Sequence, residues 1–270
     1  MAKVKNQTIT FEKSPVLEII AELRWNSNNP MANNQVANQT MTLFYNNNFE
    51  EMYKRFSDKI AGHDYVRSER LIPQNFPAST FQPVYRFKKV EAQNPTLIQI
   101  GEGLISIHAL PPYQSWVNFS PDVSNSINAI LESRNDSDKN KDFSKISLRY
   151  INIFYPELLQ GNSVENFIEN ILCFKIITPD GISKHQISKD TVTIQLSIKS
   201  SDDLTININV GKRNVNNSDC VLLDFIVESS TNINTDHDEI MGVFNKAHDL
   251  IHRIFIDITE PIHQLMKVKE

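Results

Sequence analysis

Between residues 15 and 25 the chain reads PVLEIIAELRW, and its side chains divide by parity. Leu17, Ile19, Ala21, Leu23 and Trp25 fall on one side, Val16, Glu18, Ile20 and Glu22 on the other. A period of two with one wholly apolar side predicts a β-strand with a single buried face. The Asn-rich stretch NSNNPMANNQVANQ, 26–39, has no period and predicts a loop or insertion. From about Thr42 the spacing becomes helical, through Phe49, Met52, Tyr53, Phe56 and Ile60, with Gly62 as the stop. Three strand-like pieces follow, near 64–72, 81–90 and 96–108. The last contains IQIGEGLISIH, which reads as a bulged strand or a tight hairpin. Trp116, Phe119, Val123, Ile127 and Leu131 return to helical spacing, and Pro121 predicts a break or a helix start among them.

The charged run NDSDKNKD, 135–142, is the best internal boundary, a connector between halves at 1–134 and 143–270. Beyond it the pattern starts again. ISLRYINIFYP, 146–156, reads as a strand, and Ser163 as the cap of a short helix carrying Phe167, Ile168 and Ile171. VTIQLSIKS, LTININVGK and CVLLDFIVES are three further strands, the first two joined by a tight turn at SDD. A broad apolar stripe from Ile240 to Ile258 marks a long helix from roughly Asp236 to Met266. Each half thus reads strand, helix, three strands, long helix. The expectation is an α+β protein built from a duplicated β-α-β-β-β-α unit, its antiparallel sheets each covered by a long helix. Two such units bury their sheets either edge to edge or against each other, as one compact two-lobed protein.

Composition narrows the function classes. The 270 residues, 40% hydrophobic and 22% charged, are ample for a core. No apolar run reaches the roughly 18 to 20 residues that span a bilayer, and MAKVKNQTITFEKSP lacks the apolar segment of a secretory signal. The expectation is a cytoplasmic protein with no membrane contact. A formal charge of −5 weighs against nucleic acid as a partner, because phosphate binding draws on clustered Lys and Arg. Only 7 glycines occur, with no GxxxxGK[ST] and no GxGxxG, so the common nucleotide loops are missing and no cofactor is expected. Cys173 and Cys220, each in an apolar run, read as buried free thiols.

Candidate chemistry is sparse. His248 and His252 share one helix face and are weak metal candidates, with Asp249 or His237 as a third ligand. The sequence there is HDLIH, without the glutamate of HExxH, so edge histidines are the default reading; His237 and His263, near the helix ends, read as surface. The paired acids Asp202–Asp203, Asp236–Asp238–Glu239 and Glu50–Glu51 are explained by a turn and by helix starts. No GxSxG elbow is present, and no catalytic residue is assigned. Arg149 and Asn152 are more informative, because both are polar groups inside an apolar strand and a buried charge needs a partner. If the leading strands of the halves are neighbours, Glu18 or Glu22 pairs with Arg149 and solvent is largely excluded, while Asn152 satisfies backbone groups. Tyr113, Trp116 and Tyr155, with Tyr85 and Phe87, are candidates to line a groove.

FEKSPVLEIIAELRW at 11–25, LIQIGEGLISIHALPPYQSWVNF at 97–119, LRYIN at 148–152 and AHDLIHRIFIDIT at 247–259 carry a resemblance. Together they resemble a sporadically distributed, uncharacterised family of bacterial proteins of roughly this length. Its marks are an F-x-K-x-P-[VL]-x-E opening, a Y-x-x-W-x-x-F segment and a mid-chain L-R-Y-[IV]-N. The resemblance implies no activity; the patchy distribution implies cargo of mobile elements or antiviral defence. The expected function is a non-catalytic accessory subunit of a defence or toxin–antitoxin type system. It would recognise another protein, encoded nearby, through a sheet groove or edge. A nucleic-acid-associated defence component and an enzyme with a dispersed site are the alternatives.

Overall fold

The computed structural model describes residues 9–26, 47–74, 76, 78–89, 95–113, 115–175, 177, 179–185, 193–200 and 202–269. The Asn-rich stretch from 27 onward and the helix start expected at Thr42 lie outside them. The fold is α+β, with one nine-stranded sheet in the order β2-β3-β4-β5-β1-β6-β9-β8-β7, antiparallel throughout. The strands are β1 (Val16–Trp25), β2 (Arg67–Arg70), β3 (Pro83–Lys88), β4 (Thr96–Gly101), β5 (Leu104–Ala109), β6 (Phe143–Phe154), β7 (Ile194–Lys199), β8 (Leu204–Val215) and β9 (Ser218–Ser229). The long helices are α1 (Asn47–Ala61), α2 (Trp116–Ser133) and α6 (His237–Thr259). Short ones are α3 (Pro156–Leu159), α4 (Val164–Asn166, running into a π turn at Phe167–Ile171), α5 (Asp180–Ser183) and α7 (His263–Met266).

The sheet follows from parity. Phe87, Ile98, Ile107, Ala21, Leu148, Val227, Ile206 and Ile198 stand directly opposite one another, one per strand from β3 to β7. All but Ile198 are buried, and this apolar row is the backbone of the core. On the helix side α1 stacks Tyr53 on Tyr85 and sets Phe56 edge-on to Phe87. Helix α2 packs on β5, and α6 on β6 and β9. The opposite sheet face carries Glu18, Glu22, Arg24, His108, Arg149, Asp224 and Asn209, the residues of the other parity.

Several expectations are corrected. The piece at 96–108 is two strands, because Glu102 and Gly103 turn the chain back; Gly103 takes φ +73 with its Cα against the Trp25 carbonyl, where a Cβ would sit 2.5 Å from that oxygen. Four strands, not three, therefore follow α1. Of the two arrangements expected for the halves, edge to edge is the one found: β1 and β6 pair antiparallel and join them in one sheet. Helix α2 runs through Pro121 unbroken; Ser115 caps it by accepting from the Asn118 N–H, and the hydrogen bond Pro121 cannot donate would fall on the turn of exposed Val117. Leu17 is exposed because β1 is bulged between Val16 and Glu18, which takes it out of the apolar row. The last helix ends at Thr259, and a 3-10 turn at Glu260–Ile262 carrying Pro261 separates it from α7.

The connector at 135–142 is a folded turn. Asp138 is buried and accepts from Lys141 Nζ at 2.9 Å, and the Lys141 carbonyl accepts from Arg134 at 2.7 Å. Cys220 is buried but Cys173 is exposed, at φ +59 on the exit from the π turn; both are free thiols. Among the described residues no helix is long and apolar enough to cross a membrane.

Candidate functional site

Three features position chemistry on this frame. The first is a cup on the helix side. Its floor is Tyr150 and Asn152 of β6, two positions apart and so on one face. Its walls are Tyr113 and Trp116 at the start of α2, His248 and His252 of α6, and the segment before β1. That segment is held by the chain's other end: Thr10, Glu12 and Lys13 exchange backbone hydrogen bonds with residues 266–269. The cup encloses about 70 Å3 and continues into open space.

Within it the polar groups form a chain. The hydroxyls of Tyr113 and Tyr150 lie 3.5 Å apart, and that of Tyr150 is 2.8 Å from His248 Nδ1. The His248 ring stacks on Trp116 at 5.1 Å and faces His252 at 5.6 Å. Trp116 is fixed by donating its indole N–H to Asn245 at 2.9 Å. Burial, reinforced by His252, pushes the His248 pKa down to about 4, and burial lowers that of His252 too. Burial moves both tyrosines the other way, so the cup is uncharged at neutral pH. Asn152 is 1% exposed; its Nδ2 donates to the Leu223 carbonyl at 3.0 Å, while its Oδ1 has no partner.

The second feature is the junction on the opposite face. Arg149 does not pair with Glu18 or Glu22, as expected from sequence; it forks onto Asp224 of β9. Its side chain is 41% exposed, so solvent is not excluded, whereas Asp224 is 4% exposed. The geometry explains the choice: Arg149 stands opposite Ile226, so Asp224 is its diagonal same-face neighbour. The Asp224 hydrogen bonds hold the Arg149 pKa above its usual value, and Glu18 and Glu22 act only through space. Glu22 pairs instead with Arg24 at 2.8 Å. Glu18 accepts at 2.8 Å from Nδ1 of His108, whose Nε2 is 2.9 Å from the Ser106 hydroxyl.

The third is the pair of sheet edges. β2 is protected: Glu69 bridges Arg86 and Lys88 beside it. Among the described residues β7 has no such cover. Leu196 and Ile198 are 39% and 51% exposed, and Lys199 is the strand's sole charge.

The structure therefore gathers Tyr113, Trp116, Asn152, His248 and His252 in one place, and leaves Tyr155 out, exposed before α3. Tyr85 and Phe87 are buried under α1. Among the described residues no group of three His, Cys, Asp or Glu side chains gathers as a metal site. His237 is at the far end of α6 against Ser124, half-buried, and His263 is half-buried against Phe11. Sequence reasoning missed Tyr150, Ser106, His108 and Asp224. Parity carries a signal for two of them: Tyr150 shares a face with Asn152, and Asp224 is an acid in the middle of the apolar run VLLDFIV, as Arg149 is a lone base in ISLRYINIFYP. No family model, curated protein or solved structure matches the chain.

Proposed function

We propose that the protein is a non-catalytic binding subunit that takes up an extended segment of a partner protein by strand addition at β7. The observation that carries this reading is the end of the apolar row. Seven of its members, from Phe87 to Ile206, are buried by neighbours on both sides, and the eighth, Ile198, is left half-covered at the sheet margin. A partner strand would supply the missing neighbour, its backbone would satisfy the ladder groups that no described strand pairs on the outer side of β7, and its alternate side chains would cover Leu196 and Ile198. The partner segment is accordingly uncharged and alternating, with apolar residues on the helix side.

The strand order supports a duplication as the wider frame of this reading: in each half the leading strand lies beside the last strand of its own half, and the leading strands β1 and β6 meet at the centre. A pairing-competent margin at one end and a charged one at the other fits a single partner per chain. The resemblance to a patchily distributed bacterial family supports the reading that the partner belongs to a defence or toxin–antitoxin type system. The test is to pull down a tagged chain from its native operon with Leu196→Lys and Ile198→Lys beside the unaltered protein. The reading requires a stoichiometric partner that both variants lose at unchanged melting temperature. A monodisperse dimer of the chain alone that the same variants dissolve would mean that β7 pairs with a second copy instead.

A second reading, an enzyme with a dispersed site, rests on Glu18, His108 and Ser106. A carboxylate on Nδ1 leaves Nε2 to accept the hydroxyl proton, which is how a serine is activated. Against it, Ser106 is 3% exposed and sits between Glu22 and Gln99 in the ladder, so among the described residues the backbone N–H groups around it are spent on strand pairing rather than free to hold an oxyanion.

A further inference from the structure

The cup beneath α2 and α6 has features that strand addition does not use. Its lining is apolar and aromatic, with Phe11, Val16, Tyr113, Trp116, Ile251 and Phe255 around the two histidines. Among the described residues that line it there is no Asp, Glu, Lys or Arg. The aromatic wall is fixed before any ligand arrives, Trp116 by its bond to Asn245 and His248 by its bond to Tyr150. An apolar hollow with a few polar groups and imidazoles shifted by burial is the usual form of a small-molecule site.

The class of ligand follows from the polar capacity left unspent. His248 commits Nδ1 to the Tyr150 hydroxyl on the floor, so Nε2, on the far side of the ring, points away from the floor. Among the described residues neither that nitrogen nor either nitrogen of His252 has a hydrogen-bond partner. None of the three is sealed from solvent, whereas the Asn152 oxygen is. A neutral imidazole offers one N–H donor and one acceptor, and a hydroxyl, which both gives and takes, matches it. A charged group would enter without a counter-charge. We propose that the cup binds a small uncharged phenol, its ring edge in the hollow and its hydroxyl on the imidazoles at the mouth. The ring follows from the aromatic walls, which meet a flat partner edge-on or offset. Size sets the depth. The enclosed 70 Å3 is smaller than the roughly 150 Å3 cavity that takes a whole benzene ring, so the ring enters by one edge and its hydroxyl stays outside the hollow.

The proposal is independent of the β7 reading, and its test uses the whole chain. Phenol is titrated while the Trp116 indole and the two imidazoles are followed by NMR, with toluene, cyclohexanol and benzoate in parallel. An apolar hollow without a polar contact would favour toluene, because phenol has a hydroxyl to strip of water. Phenol is expected to bind with millimolar or better affinity, at least about threefold tighter than toluene, as one net hydrogen bond requires. Cyclohexanol and benzoate are expected to bind more weakly than phenol. In the double variant His248→Phe, His252→Phe, which keeps the rings and removes the nitrogens, the preference is expected to pass to toluene. Should that variant fail to fold, the four ligands on the unaltered protein decide alone. A folded variant that still preferred phenol would overturn the assignment to the histidines. Toluene binding as tightly as phenol would overturn the hydroxyl contact, equal cyclohexanol the flat ring, and equal benzoate the uncharged class. No shift with phenol up to about 10 mM would overturn the whole proposal.

Discussion

Arg149 lays its guanidinium along the carboxylate of Asp224, Nε to Oδ1 and Nη2 to Oδ2, both at 2.9 Å. One member is half in water and the other is buried, so the two are not equivalent. Removing Arg149 strands a buried acid, whereas removing Asp224 frees a cation that solvent reaches. Arg149→Ala is therefore expected to cost about 1–3 kcal/mol in urea unfolding, and more than Asp224→Asn. Arg149→Lys should recover only part, because an ammonium cannot make the fork. Equal losses from Arg149→Ala and Asp224→Asn would contradict the asymmetry.

Why Asp224 was not foreseen marks how far the chain could be read. Periodicity assigned every strand of the second half and the long helix α6, since a buried face on a strand or helix leaves its period in the sequence, but it set a break or a start at Pro121 within α2. The turn at Glu102–Gly103 was visible as GEG, but periodicity could not choose between a bulge and a hairpin; a backbone contact with Trp25, far along the chain, settles it. Partner choice is the harder problem. Glu18, Glu22 and Asp224 all reach the face of Arg149, and only the register of β6 against β9 makes Asp224 its diagonal neighbour. The cup is harder still, since its members come from α2, β6 and α6. Tyr113, Trp116, Asn152, His248 and His252 were each noticed for a local reason, and nothing local says that they meet.

His248 gives the cup a pH signature. Its pKa falls from about 6.5 unfolded to about 4 folded, so between those values the unfolded chain holds the extra proton. Stability rises with pH wherever the unfolded state binds more protons; it must therefore decline as pH drops from about 6.5 towards 4, and this contribution levels off below that. His252 is shifted in the same direction and adds to the decline. The whole effect is on the order of a few kcal/mol. Carboxylates titrate in the same window, so the measurement is a difference. The unaltered protein minus His248→Gln, melted from pH 7 to pH 4, should lose its advantage across this interval. A flat difference would mean that His248 takes up its proton as readily in the folded as in the unfolded chain.

Arg134 is 1% exposed between the rings of Trp25 and Phe143, with its guanidinium carbon 5.1 and 4.8 Å from their centroids. One N–H group donates to the Lys141 carbonyl, while Nε and Nη1 are buried without partners. Burial lowers its pKa to about 10, with Asp138 and Asp142 pulling the other way, so it stays charged at neutral pH. Two unmade donors and a desolvated charge offset much of what the two ring contacts supply. Arg134→Met, which keeps the length and fills the slot, is expected to change stability by less than about 1 kcal/mol or to raise it. Phe143→Ala should cost about 3–5 kcal/mol in the same assay. A loss of several kcal/mol from Arg134→Met would show that the cation between the rings is a net stabiliser.

The hydrogen-bonded line Glu18–His108–Ser106 makes an opposite kind of prediction, about reactivity rather than stability. Its distances suit proton transfer from the serine, yet the hydroxyl lies within a ladder whose N–H groups are all engaged. An acyl or phosphonyl group arriving at Ser106 would find a general base but no donors for the developing oxyanion, and little room to approach. A fluorophosphonate probe is therefore expected to leave Ser106 unlabelled, with intact mass unchanged after prolonged exposure. Ser106→Ala is expected to cost about 1 kcal/mol of stability through the lost hydrogen bond to His108. If the probe instead added one equivalent at Ser106, and His108→Gln or Glu18→Gln slowed the addition by orders of magnitude, the face carrying Glu18, His108 and Ser106 would be catalytic. The binding-subunit reading would then give way to a hydrolase whose oxyanion donors are side chains on neighbouring strands.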